Sequence, residues 1–167
     1  MSENTETAIL AGGCTWVTQE LMRAYREGVI SIRAGWTGGE SENPTEENPG
    51  GHAEAVEIVF ERDRVSYREI LELFFQIHRP DLDERTVGSL YRSEVFCTND
   101  EQRQIAEETI ADFDAARFWP GKLATRVSEA GPFLEDEAED QDFLQRYPDS
   151  SRAPQPGLAA ASHESAA

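Results

Sequence analysis

A short apolar run that ends at two adjacent glycines and a cysteine, within Ala8–Val17, constrains the fold of this chain more than any other stretch. The run at Thr7–Ala11 is typical of a buried strand, and the glycine pair allows a sharp turn. Apolar residues then recur at helical spacing, which predicts a helix from Cys14 to about Arg26. The chain is therefore expected to pass from strand to helix at a cysteine.

Cys14 lies in the first turn of that predicted helix, where unpaired backbone N–H groups and the positive end of the helix dipole favour a thiolate over a thiol. We therefore expect a lowered pKa and a nucleophilic sulfur at this position. A cysteine can instead be a small buried hydrophobic residue with no chemical role. The neighbours Gly12 and Gly13 bring backbone near the sulfur, and Trp16 can line an apolar pocket beside it, so a reactive site is the favoured interpretation.

The composition indicates one globular domain with a strongly acidic surface. The 167 residues suit a single domain with a real hydrophobic core. The formal net charge is −18, from 33 acidic against 15 basic side chains, so we expect neither nucleic acid nor an anionic membrane as a partner. The acidic residues are spread along the whole chain rather than collected in one tail, which suggests a protein adapted to the high salt of a halophilic cytoplasm.

The cysteine content and the N-terminal sequence point to the cytoplasm. Two cysteines, Cys14 and Cys97, are too few for a disulfide framework. The sequence shows no positively charged start followed by an apolar run, and no apolar segment of transmembrane length. In a reducing compartment, an exposed cysteine stays reduced and can do chemistry.

Strand and helix patterns alternate irregularly, which predicts an α+β domain with a mixed β-sheet flanked by helices. The further strands are expected at Val29–Gly35, His52–Phe60, the end of Tyr91–Cys97 and, at a sheet edge, Ala124–Ser128. The further helices are expected, from two capping signals and a weaker acidic pattern, at Ser66–Ile77, Thr98–Ala116 and Asp136–Arg146. We expect residues 1–6 to be flexible, residues 7–148 to form the domain, and residues 149–167 to be a disordered tail.

An irregular acidic segment, Glu40–Gly51, leads into the strand that begins at His52. A long loop inside a compact domain is more often functional than accidental, although a solvated surface loop remains an alternative. Glu54 lies at the start of the strand beside this glycine-rich loop, so its carboxyl is the best candidate for an acid partly removed from water. Glu57, in the same strand, is expected to face solvent.

Several motifs, in one order and at consistent spacings, resemble those of the peptide methionine sulfoxide reductases of the A type. They are Gly12-Gly13-Cys14-x-Trp16, Gly35-Trp36-Thr37-Gly38-Gly39, Asn43-Pro44-Thr45, Gly51-His52-Ala53-Glu54-Ala55-Val56, Phe75-Gln76-Ile77-His78, Gly88-x-x-Tyr91-Arg92-Ser93, Trp119-Pro120-Gly121 and Asp140-Gln141-x-Phe143-Leu144. The resemblance covers residues 7–148 and implies the two-layer α+β sandwich of that family. It also implies reduction of the S epimer of methionine sulfoxide, free or in proteins, without a metal or organic cofactor, as protein repair under oxidative stress.

The resemblance implies a role for each of five residues. Cys14 would attack the sulfoxide sulfur, Glu54 would donate a proton to the oxygen, and Tyr91 would hydrogen-bond that oxygen. Methionine would leave, and the cysteine would remain as a sulfenic acid. Trp16 and Trp36 would form the apolar wall that accepts the S-methyl group. Each residue also has a structural alternative, as a core or turn aromatic residue or as a solvated acid.

Four positions depart from the family pattern. Thr15 replaces a phenylalanine after the nucleophile, and Val17 replaces a glycine in the first helical turn. Glu46 stands where the family has a tyrosine that polarises the sulfoxide, and Thr86 falls where an aspartate would lie. Thr15, Glu46 and Thr86, with His52 of the strand motif, are the expected substrate-binding residues besides the tryptophans. Loss of two polar groups predicts weaker activity or another substrate.

The sulfenic acid would need a second thiol to reduce it. Cys97 is the other cysteine in the sequence, but its place in a predicted strand beside Phe96 favours a packing role. We therefore expect a one-cysteine enzyme that is regenerated by an external thiol, such as thioredoxin or a small thiol. The modest apolar content predicts a monomer.

Two alternatives to an oxidoreductase acting on methionine S-sulfoxide stay open at this point. Cys14 and Glu54 could act on another small sulfur or carbonyl substrate, which Thr15 and Glu46 would recognise by hydrogen bonds. The chain could also be a non-catalytic thiol sensor, or a partner module that keeps the fold.

Overall fold

The structure is a computed structural model, and it describes residues 4–12, 14–45 and 47–135, with the backbone alone at residues 14–16. The helix expected at Asp136–Arg146 and the tail expected at 149–167 lie outside the described residues. Glu46 and the side chains of Cys14, Thr15 and Trp16 lie outside them as well.

Strands and helices follow one another in the irregular order that the sequence predicts. The strands are β1 (Thr5–Ala11), β2 (Val29–Thr37), β3 (Ala53–Glu61), β4 (Glu94–Cys97), β5 (Arg126–Glu129) and β6 (Leu134–Glu135). The helices are α1 (Cys14–Tyr25), α2 (Tyr67–Ile77), the short α3 (Glu84–Val87) and α4 (Asp100–Ala116), with a 3₁₀ turn at Ser89–Tyr91.

Within the described ranges, the six strands form one sheet in the order β5-β4-β1-β3-β2-β6. The pairing is antiparallel except between β4 and β5, which run parallel at one edge. The predicted α+β class with a mixed sheet is therefore confirmed. The edge strand expected at Ala124–Ser128 is found, but it begins two residues later and ends one residue later.

Strand β1 begins earlier than the sequence pattern indicates. Thr5 pairs with Glu61 and Glu6 pairs with Phe60, so these two residues continue the β1 ladder instead of belonging to a flexible terminus. The Glu6 carboxylate also accepts a hydrogen bond of 2.7 Å from the Gln102 side chain. A short polar strand end of this kind has no apolar pattern of its own, because the neighbouring strand supplies its partners.

The helices cover one face of the sheet. Alternate strand residues, among them Leu10, Val56 and Val95, form a buried cluster with the helical residues Leu21 and Phe74. The residues between them, such as Ile9, Ala55 and Phe96, form a smaller cluster on the opposite face. Since side chains alternate along a strand, this division also fixes the face on which every neighbouring polar side chain lies.

Local sequence signals explain where two of the helices begin. At α2, the Ser66 hydroxyl accepts from the Glu69 backbone N–H at 3.0 Å, and the Glu69 carboxylate accepts from the Ser66 N–H at 3.0 Å, which completes a capping box. At α4, the Asn99 side chain accepts from the Gln102 N–H at 2.8 Å. No helix in the described part of the chain is both long enough and apolar enough to cross a membrane.

Candidate functional site

Trp36 and Glu54, two of the predicted site residues, belong to one end of the sheet, where β1 and β2 finish and β3 and β4 begin. Gly12 follows the last residue of β1 with a φ of +121°, a conformation that side-chain-bearing residues rarely adopt. Helix α1 then begins at Cys14. The strand-to-helix passage at the cysteine, predicted from the sequence, is thus found, and it faces the first residues of β3 and β4.

Trp36 and Glu54 are directly paired across β2 and β3 at this end of the sheet. Directly paired residues share a face, and Glu54 lies two residues from Val56 and so on the same face, where the Val56 side chain packs under the helices. Trp36 is 6% exposed, and Glu54 is half-buried. Glu54 therefore lies with the tryptophan on the face of the sheet that helix α1 covers.

Tyr91 approaches the same strand from another part of the chain. It ends the 3₁₀ turn Ser89–Tyr91, which contacts β3, and its side chain is half-buried. Gly88, directly before the turn, has a φ of +93° and open space where a side chain would be, so conformation rather than crowding favours glycine here. The structure therefore brings Glu54, Trp36 and Tyr91 to one region of the sheet.

His52 connects the two ends of the irregular loop at Glu40–Gly51. Its Nδ1 accepts a hydrogen bond of 3.0 Å from the Gly39 N–H, and its Nε2–H donates to the Ser41 carbonyl at 2.7 Å. The ring is 3% exposed, so both of its polar atoms are used inside the protein by backbone groups. His52, a predicted substrate-binding residue, therefore holds together the two ends of the loop that precedes Glu54.

A buried ion pair next to His52 was not singled out from the sequence. The Arg92 Nε–H donates to the Glu94 carboxylate at 2.7 Å, and both side chains are about 5% exposed. The rest of the guanidinium donates to the Ser89 carbonyl at 2.9 Å and to the Gly51 carbonyl at 3.1 Å. The signal available in the sequence was an acid followed by the apolar run of β4, directly after the Tyr91 motif.

His78 and Ser93 lie beneath the turn that precedes Cys14. A side chain at Gly12 would meet the His78 ring at 3.0 Å and the Ser93 Cα at 3.3 Å, so the β1 end packs directly on both residues. The His78 Nδ1–H donates to the Phe74 carbonyl at 2.5 Å, and its Nε2 accepts from the Ser93 hydroxyl at 2.8 Å. Burial lowers the pKa of His78 to about 4, so the ring is neutral at physiological pH.

Two of the four departures from the family pattern can be located. Val17 is fully buried in the core under the sheet, which absorbs its extra bulk. Thr86 is exposed, and its hydroxyl donates at 3.0 Å to the Asp83 carboxylate that caps α3. Hydrogen bonds from Thr86 hold the pKa of Asp83 below its usual range. Thr86 therefore contributes to the start of a short helix next to the Tyr91 turn.

Cys97 lies away from this group of residues. It ends β4, three residues beyond Glu94, or about 10 Å along a strand. It is 5% exposed and lines a separate cavity of about 340 Å³ together with Asn99 and Arg103. Burial raises the pKa of its thiol, which lowers its nucleophilicity at neutral pH. Among the described residues, no group of His, Cys, Asp and Glu side chains could hold a metal ion.

Comparisons of sequence point to one family. A model of the family described as peptide methionine sulfoxide reductase matches residues 6–165. The chain is 55% identical over 148 residues to the peptide methionine sulfoxide reductase MsrA of Mycolicibacterium paratuberculosis, covering 87% of this chain and 86% of that protein. It is 52% identical over 151 residues to the enzyme of the same name from Pseudomonas fluorescens, covering 89% of this chain and 72% of that protein.

Comparison of structures gives the same fold. The reduced form of Mxr1 from Saccharomyces cerevisiae superimposes with a TM-score of 0.80 at 20% identity, covering 94% of this chain and 92% of the yeast chain. The same yeast protein in complex with Trx2 gives a TM-score of 0.63 at 19% identity, covering 93% and 90%. At these identities the likeness is one of fold, and it agrees with the family that the sequence relatives indicate.

Proposed function

The chain belongs to the peptide methionine sulfoxide reductase family, an oxidoreductase family that reduces methionine sulfoxide with thiols, and we propose that it acts on the S epimer through Cys14, Glu54 and Tyr91. The observation that supports these residues is the arrangement at the end of the sheet. Glu54 is half-buried on the face covered by α1, the helix that begins at Cys14, and the Tyr91 turn contacts the strand that carries Glu54.

In the first step, the Cys14 thiolate attacks the sulfoxide sulfur while Glu54 gives its proton to the oxygen. The S–O bond of the substrate and the S–S bond formed by the attack then break as the oxygen passes to the cysteine sulfur. Methionine leaves, and Cys14 remains as a sulfenic acid. The substrate sulfur is reduced by two electrons and the cysteine sulfur is oxidised by two. Tyr91 stabilises the oxygen by a hydrogen bond as its charge grows.

In the second step, an external thiol regenerates the enzyme. A thiolate condenses with the sulfenic acid to a disulfide and water, and a second thiol releases reduced Cys14. The remote position and raised pKa of Cys97 support an external thiol over an internal one. The yeast relative has been crystallised in complex with Trx2, which favours thioredoxin as the reductant, with a small thiol as the alternative.

The proposed substrate pocket combines an apolar wall with polar groups that differ from the family pattern. Trp36, with Trp16, receives the S-methyl group, and Thr15 takes the place of a second aromatic wall. Glu46 replaces a phenol donor, and Thr86 replaces a carboxylate. One such polar interaction is worth roughly 3 kcal/mol in a transition state, so we propose a turnover about a hundredfold below that of an enzyme with the full set.

His52 contributes to the pocket through the loop and not by direct contact with substrate. Both of its ring nitrogens are bonded to loop backbone, which leaves no hydrogen-bonding atom of the ring for a ligand. The loop that it braces leads directly into Glu54 and contains position 46. We therefore propose that His52 fixes the approach of the loop to the site.

We propose a monomeric protein of a halophilic cytoplasm that repairs oxidised methionine under oxidative stress, by this cofactor-free thiol chemistry. A net charge of −18 supports high-salt surroundings, since dense salt screens the self-repulsion of such a chain. A cysteine that must return to its reduced state favours a reducing compartment. The two alternatives, another substrate and a non-catalytic sensor, are not favoured, because relatives at about half identity over most of their length are methionine sulfoxide reductases.

The proposed function is tested by turnover of dabsyl-methionine S-sulfoxide with excess dithiothreitol in high salt. We expect reduction by the unmodified chain and none by Cys14→Ser. We expect full activity for Cys97→Ser, because Cys97 lies away from the proposed site. The R epimer serves as the stereochemical control. Equal activity of the unmodified chain and Cys14→Ser, or preference for the R epimer, would contradict the proposal.

A further inference from the structure

Arg92 contacts three segments of the chain that meet at the proposed site. Its Nε–H donates to Glu94 at the start of β4. One terminal nitrogen donates to the Ser89 carbonyl, in the turn that ends at Tyr91. The other donates to the Gly51 carbonyl, three residues before Glu54. One side chain thus joins the segment that carries Tyr91 to the segment that carries Glu54.

The chain does not hold the two carbonyls at a fixed separation, because Gly51 and Ser89 are 38 positions apart in the sequence. A guanidinium is planar and rigid, so donors at its two terminal nitrogens hold two acceptors at a set distance and angle. The side chain is about 5% exposed, so water does not compete freely for these hydrogen bonds. Arg92 can therefore act as a rigid spacer between the two segments.

Glu94 makes burial of that spacer possible. A buried guanidinium without a partner would be costly, because its charge would be uncompensated. The Glu94 carboxylate compensates that charge, and its second oxygen accepts from the Ser128 hydroxyl at 2.7 Å. The ion pair therefore fixes the relative positions of the two carbonyls without adding net charge to the site.

We propose that Arg92, compensated by Glu94, is a positioning residue that sets the separation of Glu54 and Tyr91 across the substrate oxygen. This inference rests on the proposed function, because it assigns no separate reaction. Arg92 itself does not need to touch substrate. Its effect passes through the Gly51 and Ser89 carbonyls to the two groups that do, and a misplacement of about 1 Å at such groups can cost about a hundredfold in rate.

The test variant is Arg92→Lys, which keeps the positive charge for Glu94 but cannot span both carbonyls. We expect kcat/KM for the S-sulfoxide to fall by about 10- to 100-fold, mainly in kcat, because the lost geometry matters in the transition state. The matched control is Arg79→Lys. Arg79 is also a buried arginine, and its guanidinium pairs with the Asp81 carboxylate at 2.8 Å. We expect the control to keep its kcat.

A second readout separates positioning from loss of structure. Alkylation of Cys14 by iodoacetamide requires the thiolate and needs neither Glu54 nor Tyr91. In folded Arg92→Lys, we expect the alkylation rate to stay within about twofold of the unmodified chain while reduction falls. Should the lysine variant fail to fold, the double variant Arg92→Met with Glu94→Leu removes both charges together, which buried pairs commonly tolerate. The same loss of kcat is expected there.

A double-mutant cycle tests the route of the effect. If Arg92 acts through Glu54 and Tyr91, then Arg92→Lys should cost no more than about threefold in a background that carries both Glu54→Gln and Tyr91→Phe, since both groups that it positions are already absent. An undiminished kcat in either folded Arg92 variant, or the full loss in that double background, overturns this inference alone. Absence of Cys14-dependent reduction by the unmodified chain would instead overturn the proposed function, and the inference would fall with it.

Discussion

His78 couples the stability of the fold to pH through a single side chain. Its ring is buried between Phe74 and Ser93, and burial lowers its pKa from 6.5 to about 4. The hydrogen bonds define one neutral tautomer. Since Nε2 accepts from the Ser93 hydroxyl, the Ser93 oxygen in turn accepts from Thr125 at 2.7 Å. Protonation of Nε2 would break this chain of hydrogen bonds. The disturbance would reach the end of β1, because Gly12 packs against the His78 ring.

The sign of the pH dependence follows from the lowered pKa. Below pH 6.5 the unfolded chain binds a proton at His78, whereas the folded chain does not bind it until about pH 4. Stability from this residue is therefore present above pH 6.5 and is lost as the pH falls toward 4. Between pH 7 and pH 5 we expect a loss of about 2 kcal/mol that is absent from His78→Gln. Urea unfolding at the two pH values measures it, and parallel losses in both proteins would count against the assignment.

Glu54 is the residue whose chemistry can be tested most cleanly in isolation. Replacement by glutamine keeps the size of the side chain and removes its transferable proton, so we expect kcat to fall by about a hundredfold. Glu57→Gln is the matched control, because Glu57 belongs to the same strand, points to the opposite face and pairs with Arg33 at 2.6 Å. A rate for Glu54→Gln equal to that of the control would remove Glu54 from the mechanism. Stopped-flow reduction of the S-sulfoxide provides the rates.

At the residue scale, the sequence identified side chains with distinctive chemistry and missed those that act through hydrogen bonds alone. Cys14 and Glu54 could be proposed because a thiol at the start of a helix and an acid beside a glycine-rich loop each suggest a role, and Tyr91 because the family resemblance implies one. The Arg92–Glu94 pair could not, because its importance depends on carbonyls at Gly51 and Ser89 that no local pattern relates to it.

At the scale of elements, the start of α2 is determined locally and can be tested locally. Ser66→Ala removes the hydroxyl of the capping box, so we expect a loss of about 1 kcal/mol in the free energy of unfolding, with kcat unchanged. Ser31→Ala is the control, because Ser31 is exposed in β2 and such surface changes stay within about 0.5 kcal/mol. Equal midpoints for the two variants in urea unfolding would show that the cap contributes little.

Elements with local signals were found from sequence, and elements without them were not. The caps at Ser66 and Asn99 and the stop near Tyr25 lie within a few residues of the helices that they define. Strand β6 has two residues and exists because β2 offers it backbone partners, so no periodic pattern marks it. The parallel pairing of β5 with β4 likewise depends on a crossover through α4.

At the scale of the whole molecule, the dominant physical fact is a net charge of −18 on 167 residues. Repulsion at that charge density opposes the compact state, and the screening length falls from about 10 Å at 0.1 M salt to about 3 Å at 1 M. We therefore expect the urea midpoint to rise steeply with KCl up to about 1 M. Sucrose, which stabilises without screening charge, serves as the control. A midpoint independent of KCl would contradict the halophilic assignment.

The overall fold was predictable at this scale because motifs spread over most of the chain agree with one another. The assembly of the site was predictable only in outline, since it depends on strand register. The pairing of Trp36 with Glu54 puts the two side chains on one face, and a slip of one residue would put them on opposite faces. Sequence spacing alone does not carry that information.

The central claim, that Cys14 accepts the oxygen of methionine sulfoxide, is tested most directly by a single turnover without reductant. The unmodified chain is mixed with excess S-sulfoxide and then with a sulfenic-acid trap, and the products are read by mass spectrometry. We expect one methionine released per protein molecule and the trap attached to Cys14, with Cys97 unlabelled. Methionine released without a label on Cys14, or a label on Cys97 in its place, would contradict this account.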